Sequence, residues 1–179
     1  MRFDDVPPYE AEGDRVHVLI DTPAGSRNKY KFDEKLGLLR LSRVLPAGLV
    51  FPYDFGSVPG TRAADGDPLD VLVLDVPPTF PGCLITARLI GVLRARQVEN
   101  GKSIRNDRLI GVGETPVNSS PMRELRDIEP ERLDDIARFF ETYNAAQGRT
   151  FKVTGRGSRP AAQAALKNAM RAWRQARGT

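Results

Sequence analysis

The sequence predicts an α+β domain that is mainly β, with a barrel-like antiparallel sheet followed by helices at the C-terminal end. Three observations point there. Short apolar runs bounded by Gly, Pro and Asn recur from residue 16 to residue 113, and helical periodicity appears only from residue 130 onward. The spacings between runs are hairpin-sized, which favours antiparallel pairing over strand–helix–strand units. The length of 179 residues favours one domain over 1–179, and a 40% hydrophobic content is enough for a sizeable core.

Residues 16–21 (Val-His-Val-Leu-Ile-Asp) read as a strand ended by Pro23 and Gly25. Residues 29–33 and 38–45 read as short strands around Lys35-Leu36-Gly37, and residues 49–62 as a strand with an irregular loop. Residues 69–76 form a strongly apolar strand closed by Pro77-Pro78, and residues 83–94 another. A polar loop is expected at 97–107 around Asn100-Gly101, then a strand at 109–113. Residues 130–147 place Leu133, Ile136, Ala137, Phe140 and Tyr143 near one helix face, with Gly148 as the stop. A short strand at 150–154 precedes a last helix that Ser158 can cap, with Leu166, Ala169, Met170 and Trp173 on one stripe.

Net charge is +4, unevenly spread: residues 149–179 hold eight Lys/Arg and no Asp/Glu, leaving 19 basic and 23 acidic groups before them. A basic tail can meet a polyanion, but the strands lack the interleaved basic and aromatic pattern of a nucleic-acid surface, and a solvated helix face is the plainer reading. Cys83 is the single cysteine, so no internal disulfide forms. With no leader-like apolar run at residues 1–8, a cytoplasmic protein is expected. Apolar stretches are broken by Asp70 and Asp75, far short of a membrane span. His17 reads as a strand residue on the sheet's outer side, and Cys83 as structural.

The chemistry concentrates in Asp65-Gly66-Asp67-Pro68-Leu69-Asp70. Three carboxylates within six residues repel one another, and a hard divalent cation such as Mg²⁺ compensates them while keeping waters and sharing phosphate oxygens. A calcium loop of the EF-hand type would need Gly sixth and Glu twelfth, where Asp70 and Val76 stand.

This string, continued by Val71, is similar to the signature of family I inorganic pyrophosphatases. Residues 18–23, Lys29-Tyr30, Arg43, residues 51–56 (Phe-Pro-Tyr-Asp-Phe-Gly), Pro81-Gly82, Gly91-Val92-Leu93 and residues 139–143 resemble further landmarks in order and spacing, over roughly 15–175. The resemblance implies an OB-like β-barrel with flanking helices. It also implies a homo-oligomer, often a hexamer in bacterial members, and Mg²⁺-dependent hydrolysis of diphosphate to two phosphates. By the same resemblance Asp67 orients or deprotonates the attacking water, while Asp65 and Asp70 hold metal. Lys29 and Arg43 neutralise the substrate, and Tyr143 donates to a phosphate oxygen.

The chain departs from that pattern at several points. Lys31 stands where the family has glutamate, Phe51 and Phe55 where it has tyrosines, and Asn144 where it has lysine. In the loop before 109–113, Arg108 takes a lysine's place as a substrate contact and Asn106 an aspartate's. Asp107, one residue away, is the remaining candidate metal ligand there. It would face the other way in a regular strand, and a bulge would be needed to turn it inward. Lys29 and Lys31, two apart on one strand, are expected to reach the same cleft. Such a protein either hydrolyses diphosphate weakly, takes a related phosphorylated substrate, or only binds phosphate compounds or partners.

Overall fold

The apolar runs become strands and the late periodic segments become helices. The structure is a computed structural model that describes residues 3–10, 15–33, 36–99, 101–114 and 120–178. In chain order come β1 (Arg15–Thr22), β2 (Asn28–Asp33), β3 (Leu38–Val44), β4 (Asp54–Val58) and β5 (Leu69–Leu74). They are followed by β6 (Leu84–Glu99), β7 (Lys102–Arg105), β8 (Arg108–Gly113), α1 (Pro130–Ala145), β9 (Thr150–Ser158) and α2 (Arg159–Arg177). The order β1–β4–β5–β8–β6 closes on itself, because β6 also pairs with β1, while β7 and β9 extend β6 and β2–β3 forms a separate hairpin.

Closure depends on the length of β6. Its first part pairs with β1, its middle with β8, and its last part with β9 and β7, with register shifts between Leu89 and Gly91 and between Arg94 and Ala95. Such irregularities bend a strand and raise its twist, which a closed ring needs. The continuous apolar run of β5 has a matching cause. Val71 and Val73 point into one buried cluster with Val16, Val18, Leu109 and Leu166, and Leu72 and Leu74 into the other with Phe55, Ile136 and Phe140. A strand buried on both faces loses the apolar–polar alternation.

Three expectations are corrected. The pairing of β5 with β8 is parallel (Val71↔Leu109 to Leu74↔Val112), so the ring is not antiparallel throughout. The segment read as a polar loop at 97–107 carries the end of β6 and all of β7, whose four residues are exposed and so show no burial pattern in sequence. The strand expected at 150–154 runs to Ser158, because Gly155 and Gly157 pair with β6 instead of breaking the strand. A Cβ at Gly157 would sit 2.7 Å from Val92 Cγ1, so glycine there permits close approach.

Ser158 does stand at the N-cap of α2, but its side chain makes no capping bond. Pro160, at the second helical position, has no N–H to offer it. Along α2, Leu166 is fully buried and Ala169 nearly so. Met170 packs at the edge of that cluster. Trp173 is half-buried with the Arg177 guanidinium 4.8 Å from its ring centroid. His17 is partly exposed, and its Nδ1 lies 2.7 Å from the Pro7 carbonyl oxygen.

Candidate active site

Between the β2–β3 hairpin, the turn before β5, the start of β8 and the end of α1 lies a cleft of about 910 Å³. Its walls include Lys29, Arg43, Asp65, Asp67, Asp70, Arg108 and Tyr143, so seven of the eight residues singled out in the sequence converge. Asp107 does not. Its Oδ1 accepts from the Ala95 backbone N–H at 3.1 Å, and its Oδ2 lies 2.6 Å from Arg105 Nη2. No bulge turns it inward: the neighbouring Asn106 takes the cleft side, as alternation in an extended chain requires.

The acidic turn is built by its own backbone. Gly66 has φ 92°, a conformation suited to glycine. Gly66 N–H donates to the Ala63 carbonyl at 3.1 Å, Ala63 N–H to that of Asp67 at 2.7 Å, and Asp67 N–H to Asp65 Oδ1 at 3.2 Å. The buried Thr61 hydroxyl accepts from Leu69 N–H at 2.9 Å and donates to the Val58 carbonyl at 2.6 Å. That pins the turn to the end of β4. Thr61 drew no notice in the sequence, since a single threonine in a loop carries no signal. Across the cleft, Tyr30 N–H donates to Thr22 Oγ1 at 3.2 Å, fixing β2 beside β1, and Lys29 stands opposite Arg43 in the hairpin register.

Six acidic and six basic side chains line the cleft, and they are largely matched to one another. Lys31 Nζ straddles the Asp67 carboxylate at 2.7 and 2.8 Å. Arg108 Nη1 lies 2.7 Å from Asp70 Oδ2, and its guanidinium stands 5.2 to 5.8 Å from the ring centroids of Phe55, Phe140 and Phe151. Arg40 pairs with Asp33, Arg149 with Glu99, and Lys29 lies 3.9 Å from Asp21. Among the described charged residues of the cleft, Asp65 and Arg43 are left without an ion pair, and Arg43 Nη1 is buried with no hydrogen-bond partner.

The deepest pair is Asp21 with Lys29. Burial lifts the Asp21 carboxyl to about 7, against the pull of the Lys29 ammonium, and one of its oxygens has no hydrogen-bond partner. Burial likewise lowers the Lys29 pKa, opposed by Asp21. The ammonium sits 4.2 Å from the Phe55 ring centroid and 5.6 Å from that of Phe51. Both rings are buried, so the two phenylalanines wall in the lysine. In the sequence Asp21 ends an apolar run in an acid, at a position where the resemblance places glutamate.

Partial desolvation, and then the charge of Asp70, raise the Asp65 pKa, the mark of negative charge short of a partner. A divalent cation fits there. Among the described residues no three His, Cys, Asp or Glu side chains are grouped to cage one, so one or two carboxylates would hold it, with water and phosphate oxygens completing its shell. Tyr143 stacks on Phe139 at a centroid distance of 6.0 Å, with its ring packed against the core and its side chain on the cleft wall.

Comparison with known proteins decides the family. The family model described as inorganic pyrophosphatase matches residues 18–174. The chain belongs to the inorganic pyrophosphatase family. It is 38% identical over 148 residues to the inorganic pyrophosphatase of a Synechocystis strain, covering 83% of this chain and 85% of that protein. It is 42% identical over 145 residues to that of a Pseudanabaena strain, covering 80% and 77%. Among solved structures, inorganic pyrophosphatase from Thermus thermophilus superposes with a TM-score of 0.87 at 33% identity, covering 97% of this chain and 99% of that one. The resemblance, the OB-like fold and the hydrolase class expected from the sequence are thereby borne out.

Proposed function

We propose that this pyrophosphatase-family chain hydrolyses inorganic diphosphate to two phosphates in the cleft, with Mg²⁺ as the metal. The observation that carries the reading is the convergence of Asp65, Asp67 and Asp70 on the same cleft as Lys29, Arg43 and Arg108, within a chain of this family. A diphosphate is a compact polyanion whose cleavage needs charge neutralisation and an aligned water more than covalent chemistry. Arg43, whose Nη1 is buried and unpartnered, supplies a donor fork for phosphate oxygens. Lys29 offers a poorly hydrated ammonium from the apolar floor, and Tyr143 and Arg108 complete the donor set. Asp67 orients the attacking water or takes its proton. Asp65 and Asp70 hold the metal, which when bound supplies positive charge against the phosphate oxygens and makes water more acidic.

Asp70 and Asp67 each already carry a cation from the chain, which favours a second reading: a cleft that binds phosphate compounds without turning them over. Phosphate release decides between the two. A panel of inorganic diphosphate, a nucleoside diphosphate and a phosphomonoester is assayed with Mg²⁺ and with chelator. Inorganic diphosphate should be the preferred substrate and Mg²⁺ should stimulate its cleavage. Tight binding with no release from any of them would establish the second reading.

We further propose that the chain works in the cytoplasm as a homo-oligomer. Among the described residues no helix is long and apolar enough to cross a membrane. Leu36, Leu38, Leu41 and Phe80 are each more than half exposed, which is surface suited to a second copy. Light scattering at micromolar concentration should return a multiple of the 19.8 kDa chain mass, a hexamer being the expected size.

A further inference from the structure

The cleft pairs its own charges, and one of those pairs is unlike the rest. Lys31 lies on the exposed rim of β2, two residues from Lys29, and its ammonium bridges both oxygens of Asp67. Both side chains are more than half exposed (56% and 55%), so water competes for each and the contact can open at little cost. Arg108, by contrast, is held in place by three aromatic rings and by Asp70. One fixed and one movable cation therefore sit on the two carboxylates that follow the unpaired Asp65 in the acidic turn.

We propose that Lys31 is a resident cation of the cleft. It carries the positive charge that a divalent ion would otherwise bring to Asp67, and it passes to the phosphate oxygens when diphosphate enters. The inference rests on the diphosphate-cleft reading above and extends it. Two consequences follow. The cleft's acidic and basic side chains are equal in number, but Arg43 has no carboxylate partner and Lys31 can be released from its own, so free diphosphate meets available cationic donors with no metal present. With an ammonium on Asp67, a metal ion beside that carboxylate meets repulsion, so the protein binds fewer divalent ions than its carboxylates would allow. Exchange of Lys31 from Asp67 to substrate also frees the carboxylate at the moment a base or water-orienting group is needed. Lys31 thus acts as a positioning and binding residue, gated by the substrate's own charge.

The test is calorimetric titration of the purified chain with sodium diphosphate in chelator, repeated for Lys31→Arg, Lys31→Gln and Lys31→Glu, together with Mn²⁺ stoichiometry by electron paramagnetic resonance. The wild type should bind metal-free diphosphate. Lys31→Gln should weaken that binding by about tenfold or more, as expected for losing one close charge contact in a cleft. Lys31→Arg should stay within a few-fold of wild type, which a merely structural role for the lysine stem would not explain. Lys31→Glu should abolish metal-free binding and add one Mn²⁺ per chain. Equal metal-free affinity in wild type and Lys31→Gln, or no extra Mn²⁺ in Lys31→Glu, overturns the proposal. Failure of the diphosphatase reading shows elsewhere, as absent phosphate release with Mg²⁺ in a protein whose Lys31 variants still shift binding as stated.

Discussion

Two lysines two residues apart on β2 each meet an aspartate from another segment, and the two pairs behave differently. Lys29 and Asp21 lie on the cleft floor, 15% and 8% exposed, with 3.9 Å between the charged atoms. Lys31 and Asp67 lie on the rim, more than half exposed, in a bidentate contact at 2.7 and 2.8 Å. The floor pair has the longer contact, and burial perturbs both of its groups: the Asp21 carboxyl rises to about 7 and the Lys29 pKa falls. Proximity alone does not set what an ion pair does. Desolvation does, and a buried pair is poised chemically where an exposed one is only a movable contact.

That contrast can be broken from the floor upward. Lys29→Met should lower kcat/KM for diphosphate by about 10²–10³, the scale on which a desolvated donor to a developing charge acts, and phosphate-release kinetics measure it. Arg108→Met should cost about 3 kcal/mol in urea unfolding, because Asp70 is left without its cation while methionine still fills the space among the rings. A loss below about 1 kcal/mol would mean that water reaches Asp70 as freely as it reaches the rim.

The next effect depends on pH. With its pKa raised from 3.8 to about 7, folded Asp21 keeps a proton that the unfolded chain has already released. Stability from this group is full below the unfolded value and is lost as pH rises toward about 7. Asp21→Asn removes that slope, so in chelated buffer the variant should gain on wild type as pH climbs through this window. The lowered Lys29 pKa has the opposite sign: the unfolded lysine holds a proton that the folded one gives up, so its contribution grows with pH toward the ordinary 10.5. Parallel unfolding curves for wild type and Asp21→Asn across the acidic window would mean that Asp21 is not desolvated. Smallest of all, Lys31→Gln should change unfolding stability by less than about 0.5 kcal/mol, because exposed ion pairs contribute little.

Much of this was legible in the sequence. The strands announced themselves by apolar runs, and β5 in particular by a run without alternation, because it is buried on both faces. β7 was not legible, since its exposed residues leave no hydrophobic period. Nor was the parallel pairing of β5 with β8, whose connection contains the β6–β7 hairpin instead of a crossover helix. At the site, spacing and resemblance brought Asp65, Asp67, Asp70, Lys29, Arg43, Arg108 and Tyr143 forward, and the fold gathers all of them. Asp107, put forward as a metal ligand, does not join them: it turns away to Ala95 and Arg105, because alternation in an extended chain gives the cleft side to Asn106. The partners of these residues could not be read, because they come from distant segments: Lys31 meets Asp67 across 36 positions, and the Thr61 hydroxyl that pins the turn is marked by nothing around it.

The central claim is that this cleft cleaves diphosphate through Asp67, with its own lysine and arginine carrying part of the charge. The direct measurement is phosphate release from inorganic diphosphate as Mg²⁺ is raised from a chelated baseline, for wild type and Asp67→Asn side by side. The account predicts release that climbs with Mg²⁺ in the wild type and a kcat about 10²–10⁴ lower in Asp67→Asn, with little change in KM. Equal rates in the two proteins, or no release by the wild type at any Mg²⁺ concentration, would contradict it.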